Sequence, residues 1–177
     1  MIIRLAKEAD DIQACAALDH SYVTNRVWQM DAREQLDGVS VGFRSVRLPR
    51  DMRGSYPRHL EGLVACWERG DTVIVAEDEG QVVGYLHLVV QASENAAWVR
   101  NLAVTPRLRR RGIGMNLLQT AADWLRQQNA NRLLLETTTK NYPAICFAQK
   151  LGFSFCGYND RYYANQDIAL FFAKSLR

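Results

Sequence analysis

The segment from Trp98 to Gln127 constrains the fold most strongly, because an apolar run, a turn and an amphipathic helix follow one another there. The apolar run "AWVRNLAVT" is typical of a strand and ends at Pro106. The next stretch, "GMNLLQTAADWLRQQN", repeats apolar side chains at helical spacing, and "RLLLETT" predicts another strand. Strand, helix and strand in succession indicate an α/β sheet with helices packed on it. The apolar helix side consists of Leu117, Leu118, Ala121, Trp124 and Leu125.

The rest of the chain shows the same alternation of strand and helix patterns. A helical period runs through Leu60, Leu63, Val64 and Trp67 and stops at Gly70. The predicted order is strand, helix, strand, helix, three strands, helix, strand, helix and two closing strands. The second strand is assigned only to "VSVGFRSVRLP", and the residues before it show no clear period. We expect residues 1–177 to form a single domain, since that length suits one hydrophobic core.

Charge and hydropathy exclude two classes of partner. With 22 Lys and Arg against 19 Asp and Glu, the net charge is +3, too small for a dedicated nucleic-acid binder. No apolar run approaches the roughly 18 residues of a membrane span. The start, "MIIRLAKEADD", turns acidic where a signal peptide would be apolar. We therefore expect a cytoplasmic protein that binds neither nucleic acid nor membrane.

The cysteines predict no metal site. Cys15, Cys66, Cys146 and Cys156 are widely spaced and form neither a CxxC pair nor a Cys/His cluster along the sequence. Free cysteine is usually a small buried hydrophobe, and a reducing compartment keeps it so. We expect that role for all four residues.

The turn before the amphipathic helix has the composition of a phosphate-binding site. Four arginines lie between Arg107 and Arg111, and Gly112 and Gly114 follow. A helix N-terminus offers unpaired N–H groups and a partial positive charge, and glycines allow a close approach to the backbone. The P-loop pattern is absent, and the dinucleotide pattern GxGxxG fails at Leu117. The motif that remains is R-x-x-G-x-G.

In this context the sequence resembles the GNAT superfamily of N-acetyltransferases, whose pyrophosphate loop is Q/R-x-x-G-x-G/A. The resemblance rests on "NLAVTPRLRRRGIGMNLLQTAADW" and "LLLETTTKNYPAICFAQKLGFSF". Within the superfamily, "LDHSYVTNRVWQM", "ETTTKNYPAI" and the C-terminal tail are similar to streptothricin (nourseothricin) acetyltransferases. The resemblance implies a mixed, mostly antiparallel central sheet with helices on both faces, and acetyl-CoA as cofactor.

The same resemblance implies the cofactor-binding residues. The backbone of Leu102 and Val104 would pair with the pantetheine arm. Asn141 would contact that arm, or alternatively serve only as a helix N-terminal residue before Pro143. The pyrophosphate would lie on the loop formed by Arg109, Arg110, Arg111, Gly112, Ile113, Gly114 and Met115.

The catalytic groups depart from the pattern that the resemblance implies. Relatives usually carry an acidic residue as the general base on the strand before the loop, where this chain has Arg100 and Asn101. They usually carry a tyrosine as the general acid on the later helix, where this chain has Ala148. Glu136, at the end of a buried strand, is the candidate base, or else a paired structural carboxylate. Tyr163 is the candidate acid, or else a packing residue. A coenzyme thiolate could also leave unaided.

The implied activity is acetyl transfer to a primary amine of a small molecule, including a streptothricin-like antibiotic. Asp31, Glu34 and Asp37 could attract the amine and Trp28 and Tyr22 could stack beneath it, or this region could be a solvated surface. Basic residues nearby argue against a strongly polycationic acceptor unless they point away: Arg44, Arg47, Arg50, Arg53 and Arg58.

Two other functions stay open at this point. One is a protein N-terminal or lysine acetyltransferase. The other is a degenerate acyl-CoA-binding module without turnover, suggested by Arg100, Asn101 and Ala148. The sequence is compatible with a monomer or a homodimer.

Overall fold

A computed structural model describes residues 1–57 and 62–177. Over these residues the chain forms nine strands and four α-helices. The helices are α1 (Ala9–Ala16), α2 (Gly62–Glu68), α3 (Ile113–Gln127) and α4 (Tyr142–Lys150). The strands are β1 (Ile2–Leu5), β2 (Tyr22–Gln35), β3 (Gly38–Gly54), β4 (Thr72–Asp78), β5 (Gln81–Gln91), β6 (Ala96–Val104), β7 (Arg132–Thr138), β8 (Ser154–Asn159) and β9 (Ala169–Ser175).

The central sheet contains seven strands in the order β1-β4-β5-β6-β7-β9-β8. The β6–β7 pair is parallel and the other neighbours are antiparallel. Helix α3 packs on β4, β5 and β6 from one face, while α1 contacts β4, β5 and α2. This arrangement confirms the predicted mixed, mostly antiparallel sheet with helices on both faces.

Each face of the sheet buries its own apolar cluster, because neighbouring side chains on a strand point to opposite sides. Leu117 and Leu125 of α3 pack over Leu86 and Leu88 of β5 in the larger cluster. On the opposite face, Ile12, Cys15 and Leu63 cover a cluster that includes Val73, Val75 and Tyr85.

Strands β2 and β3 form a long separate hairpin that the sequence pattern showed only in part. β2 was not predicted, and β3 extends beyond the predicted strand at both ends. Most side chains of β2 are exposed, so the strand lacks the alternation of apolar and polar residues that marks a half-buried strand. Tertiary contacts hold it instead. The Trp28 amide donates to the Thr139 carbonyl at 2.8 Å, and the Trp28 ring packs near Phe43 and Phe172.

The second predicted helix is confirmed from Gly62 onward, and its expected apolar residue Leu60 lies outside the described residues.

The burial expected of the cysteines is confirmed for Cys15, where desolvation raises the pKa of the thiol to about 12. The expected burial is wrong for Cys146 and Cys156, which are exposed on α4 and on the sheet-edge strand β8.

Within residues 1–57 and 62–177, no helix combines the length and apolarity needed to cross a bilayer.

Candidate active site

The candidate site lies where β6 and β7 separate. Their parallel pairing runs from Ala96 opposite Arg132 to Val99 opposite Leu135. Beyond that point β6 stays paired with β5, and β7 stays paired with β9. The part of β6 that contains Leu102 therefore has one edge without a strand partner in the described chain. Such an edge presents main-chain donors and acceptors that an extended ligand can pair with.

A β-bulge marks the same point on β6. His87 is opposite Asn101 and Leu88 is opposite Val99, so Arg100 has no counterpart on β5. A bulge of this kind re-aims side chains locally. Arg100 extends toward β7, and its carbonyl accepts a hydrogen bond from the Tyr56 hydroxyl.

Glu136 is the first residue of β7 beyond the paired region, and its carboxylate joins the two separating strands. Arg100 Nη1 lies 2.6 Å from Glu136 Oε2, and the Glu136 side chain is fully buried. The hydroxyls of Tyr162 and Tyr163 donate to Oε2 at 3.2 Å and to Oε1 at 2.9 Å. A buried charge requires such partners to offset its desolvation. The structure thus brings together the two predicted catalytic residues, Glu136 and Tyr163, and adds Arg100 and Tyr162.

A second polar network joins β5, β6 and the segment before β2, and it was not predicted. His20 Nε2 is 2.9 Å from the Tyr85 hydroxyl, and Asn101 Nδ2 donates to the same oxygen at 3.2 Å. Burial raises the pKa of Tyr85 well above its usual range and lowers the pKa of His20. Both groups are therefore neutral near pH 7. Nothing in the apolar run around Tyr85 distinguishes it from a packing residue in the sequence.

The predicted phosphate loop has the backbone shape of an anion-binding turn. Arg110 and Gly112 have positive φ values of 65° and 87°. The first main-chain bond of α3 runs from Asn116 N to Gly112 O at 3.0 Å. The amides of Ile113, Gly114 and Met115 precede that bond and have no acceptor within the helix. They lie at the positive end of the helix dipole, where a phosphate is stabilised.

Arg109 has partners other than the expected phosphate. Its Nε donates to the Val104 carbonyl at 2.8 Å, its Nη1 to the Ser21 carbonyl at 2.7 Å and its Nη2 to the Asp19 carbonyl at 2.7 Å. The guanidinium therefore ties the loop to the end of β6 and to the segment between α1 and β2. Arg110 and Arg111 are exposed at the surface of the loop.

Asn141 occupies the N-cap position of α4. Its side-chain oxygen accepts a hydrogen bond from the Ala144 amide at 3.2 Å, in the first turn of the helix. This contact fits the alternative interpretation of Asn141 as a helix N-terminal residue. A contact between Asn141 and the cofactor stays a prediction.

The residues expected to bind the acceptor are dispersed. Asp31, Glu34 and Asp37 are exposed along the outer part of the β2–β3 hairpin. Trp28 packs within an aromatic cluster, which leaves its ring poorly placed to stack on a ligand. Tyr22 is partly buried, and desolvation raises the pKa of its hydroxyl. Four of the arginines, Arg44, Arg47, Arg50 and Arg53, are exposed on β3, while Arg58 lies outside the described residues.

The sequence pattern of the "Acetyltransferase (GNAT) family" matches residues 43–153, a range that includes β6, the α3 loop and α4. The chain belongs to this family. It is an acyl-CoA-dependent N-acetyltransferase, and acetyl-CoA is its cofactor, as the sequence predicted. The open edge of β6 and the free amides of α3 suit an acyl-CoA, which is extended and carries phosphates.

Individual relatives of this acetyltransferase resemble it over most of its length. Streptothricin acetyltransferase of Streptomyces lavendulae is 27% identical over 158 residues, which cover 86% of this chain and 82% of the relative. A crystal structure of nourseothricin acetyltransferase superposes with a TM-score of 0.83 at 24% identity, covering 99% of this chain and 98% of that one. A crystal structure of a Bacillus anthracis protein, provisionally assigned as a streptothricin acetyltransferase, was solved in complex with acetyl coenzyme A. It superposes with a TM-score of 0.78 at 22% identity, covering 98% of this chain and 97% of that one.

Proposed function

We propose that this acetyltransferase acetylates a primary amine of a small molecule of the streptothricin type. The observation that carries this proposal is the extent of similarity to the Streptomyces lavendulae enzyme. That similarity covers 86% of the chain, whereas the family pattern begins only at residue 43. It therefore extends into segments outside the family pattern.

For the cofactor, we place the pantetheine arm along the open edge of β6, at the backbone of Leu102 and Val104. The pyrophosphate then meets the amides of residues 110–115 at the start of α3. The contacts of the Arg109 guanidinium favour a positioning role, in which it holds the loop while the amides bind phosphate. Arg110 and Arg111, being exposed, add positive charge near the phosphates.

For the base, we propose Glu136. An alkyl amine has a pKa near 10 and arrives as an ammonium ion, which must lose a proton before it can attack. The buried carboxylate takes this proton, directly or through a water molecule. The amine nitrogen then forms a bond to the thioester carbonyl carbon, and main-chain N–H groups stabilise the resulting oxyanion. Arg100 and Tyr162 fix the carboxylate for this step.

For the acid, we propose Tyr163. As the carbon–sulfur bond breaks, the sulfur leaves as a thiolate and Tyr163 donates its proton to it. The Tyr163 hydroxyl lies 2.9 Å from Glu136 Oε1, so the carboxylate can return a proton taken from the substrate nitrogen. Two protons leave the ammonium nitrogen overall. One ends on the coenzyme A sulfur and the other in solvent.

The test is a comparison of acceptors with purified protein. Acetyl-CoA and a thiol-release dye are combined with streptothricin, an aminoglycoside, peptides with free N-termini and lysine peptides. We expect the highest kcat/KM with streptothricin. Higher kcat/KM for the peptides would contradict the small-molecule acceptor. Tight acetyl-CoA binding without thiol release from any amine would support the module without turnover.

A second assay tests the acid. Tyr163→Phe removes the proposed proton donor and keeps the aromatic ring. We expect kcat to fall about tenfold or more while the dissociation constant of acetyl-CoA stays within twofold. Tyr158→Phe, at an exposed position on β8, is the matched control. Equal kcat values for the two variants would show that the thiolate leaves without Tyr163.

A further inference from the structure

Three potential metal ligands meet outside the acetyl-transfer site. Cys66 lies in α2, Asp71 in the turn after it and His87 on β5, and one ligand atom of each lies within 4.8 Å of the other two. His87 Nε2 is 2.8 Å from Asp71 Oδ2. We propose that these residues form a binding site for a divalent transition-metal ion of the zinc type.

The backbone holds the three residues close together. Gly70, in the turn after α2, has a φ of 99°, and its amide donates to the Trp67 carbonyl at 2.9 Å. The Asp71 amide then bonds back to the Cys66 carbonyl at 3.1 Å, which places Asp71 beside the helix. Two residues later Val73 pairs with His87 across the β4–β5 ladder. A tight turn and one strand pair thus fix the cluster.

The donor set fits zinc. Thiolate, imidazole and carboxylate are its common protein ligands, and three of them leave a fourth tetrahedral position for water. Bonds of about 2.0–2.3 Å place tetrahedral ligand atoms roughly 3.3–3.7 Å apart. Relative to the observed cluster, Asp71 and His87 would separate by about 0.5 Å, and Cys66 would move inward by at most about 1.3 Å. Side-chain rotations can supply both movements.

Burial and charge around the cluster allow an ion to enter. The His87 side chain is 6% exposed and that of Asp71 is 24% exposed, so the ion would be partly shielded yet reach the site from solvent. The guanidinium of Arg69 donates to Cys66 Sγ at 3.2 Å and would have to move aside. Arg69 is exposed, and surface contacts of this kind cost little to break. Because one ligand is a thiolate, the site should prefer Zn²⁺ or Co²⁺ over Mg²⁺.

Metal titration of the full chain, first freed of metal by a chelator, tests this site. Co²⁺ should bind one per chain with a thiolate-to-cobalt absorption band, and Zn²⁺ should displace it. Cys66→Ala should abolish the band, because it removes the thiolate. Cys66→Ala and Asp71→Asn should each weaken Zn²⁺ binding at least tenfold. Cys146→Ala, which removes an exposed cysteine on α4, is the matched control and should bind within twofold of the unmodified chain. Mg²⁺ should produce no change.

Two results would overturn the proposal. One is the absence of stoichiometric binding at zinc concentrations up to about 100 μM, well above those that fill protein zinc sites. The other is equal zinc affinity in the Cys66→Ala and Cys146→Ala chains. Circular dichroism checks that each variant is folded. The half-buried Cys66 gives the decisive variant even if substitutions at the buried His87 disrupt folding.

Discussion

The loop before α3 and the Glu136 cluster, to which we assign separate parts of the proposed reaction, are built differently. The loop is contiguous, and the main-chain amides that follow Gly112 are the groups that we propose to bind phosphate. The cluster combines side chains of Arg100 from β6, Glu136 from β7 and Tyr162 and Tyr163 from the segment before β9. A backbone site depends on local conformation, whereas a side-chain site depends on how distant strands are placed. Substitutions in the two regions should therefore have different kinetic effects.

The largest effect is expected for Glu136→Gln in the side-chain cluster. Loss of the proposed base should lower kcat about 10²–10⁴-fold while acetyl-CoA still binds, because the proposed cofactor contacts lie elsewhere. Steady-state kinetics and calorimetric titration with acetyl-CoA measure the two quantities. Glu94→Gln, at an exposed position, is the control. An unchanged kcat in Glu136→Gln would assign Glu136 a purely structural role.

Arg109→Gln tests whether the loop also depends on a side chain. The variant loses charge-assisted bonds to the carbonyls of Val104, Ser21 and Asp19. We expect the free energy of unfolding to fall by about 2 kcal/mol and the KM for acetyl-CoA to rise, because the loop is no longer held. Denaturant unfolding and steady-state kinetics measure these changes. Arg110→Gln, which alters an exposed arginine, should change stability little. If Arg109→Gln raises KM without any loss of stability, its guanidinium contacts phosphate directly.

A pH effect on stability is expected from a third region, near the N-terminus. Arg4 donates to both carboxylate oxygens of Asp11 at 2.7 and 2.8 Å and lowers the pKa of that carboxyl to about 2. The ordinary value is near 3.9, so this stabilisation is complete above about pH 5 and is mostly lost as the pH falls to about 2.

We expect Asp11→Asn to cost about 2 kcal/mol at pH 6 and almost nothing near pH 2, measured by denaturant unfolding. Asp10→Asn, exposed one position earlier, is the control. A cost that is independent of pH would show that the Arg4–Asp11 ion pair does not cause it.

The smallest effect is expected for Gly112→Ala in the loop. A Cβ there meets no atom within 4 Å, but the φ of 87° disfavours alanine by about 1–2 kcal/mol. The loop should relax, and the KM for acetyl-CoA should rise several-fold with little change in kcat. Gly42→Ala, which also has open space but no positive φ, is the matched control. A fall in kcat equal to that of Glu136→Gln would erase the distinction between the two regions.

The strands of the central sheet and the four helices were predictable because their apolar residues follow periods set by burial. The hairpin strand β2 was not, since most of its side chains are exposed and Trp28 is held by contacts with Thr139, which follows β7, and with β8 and β9. In the site, Glu136 was predictable as a carboxylate at the end of a buried strand. Arg100 was recognised as a departure from the family pattern, but its partner was not identified.

The sequence by itself determined the periodic elements, the loop before α3 and the membership of the GNAT family, because each depends on residues close together in the chain. Only the tertiary structure decided that Arg100 pairs with Glu136, that Arg109 binds main-chain carbonyls and that Cys66 meets Asp71 and His87. Those contacts depend on strand register, on the bulge at Arg100 and on the point where β6 and β7 separate. These features arise from packing over the whole sheet and leave no local pattern in the sequence.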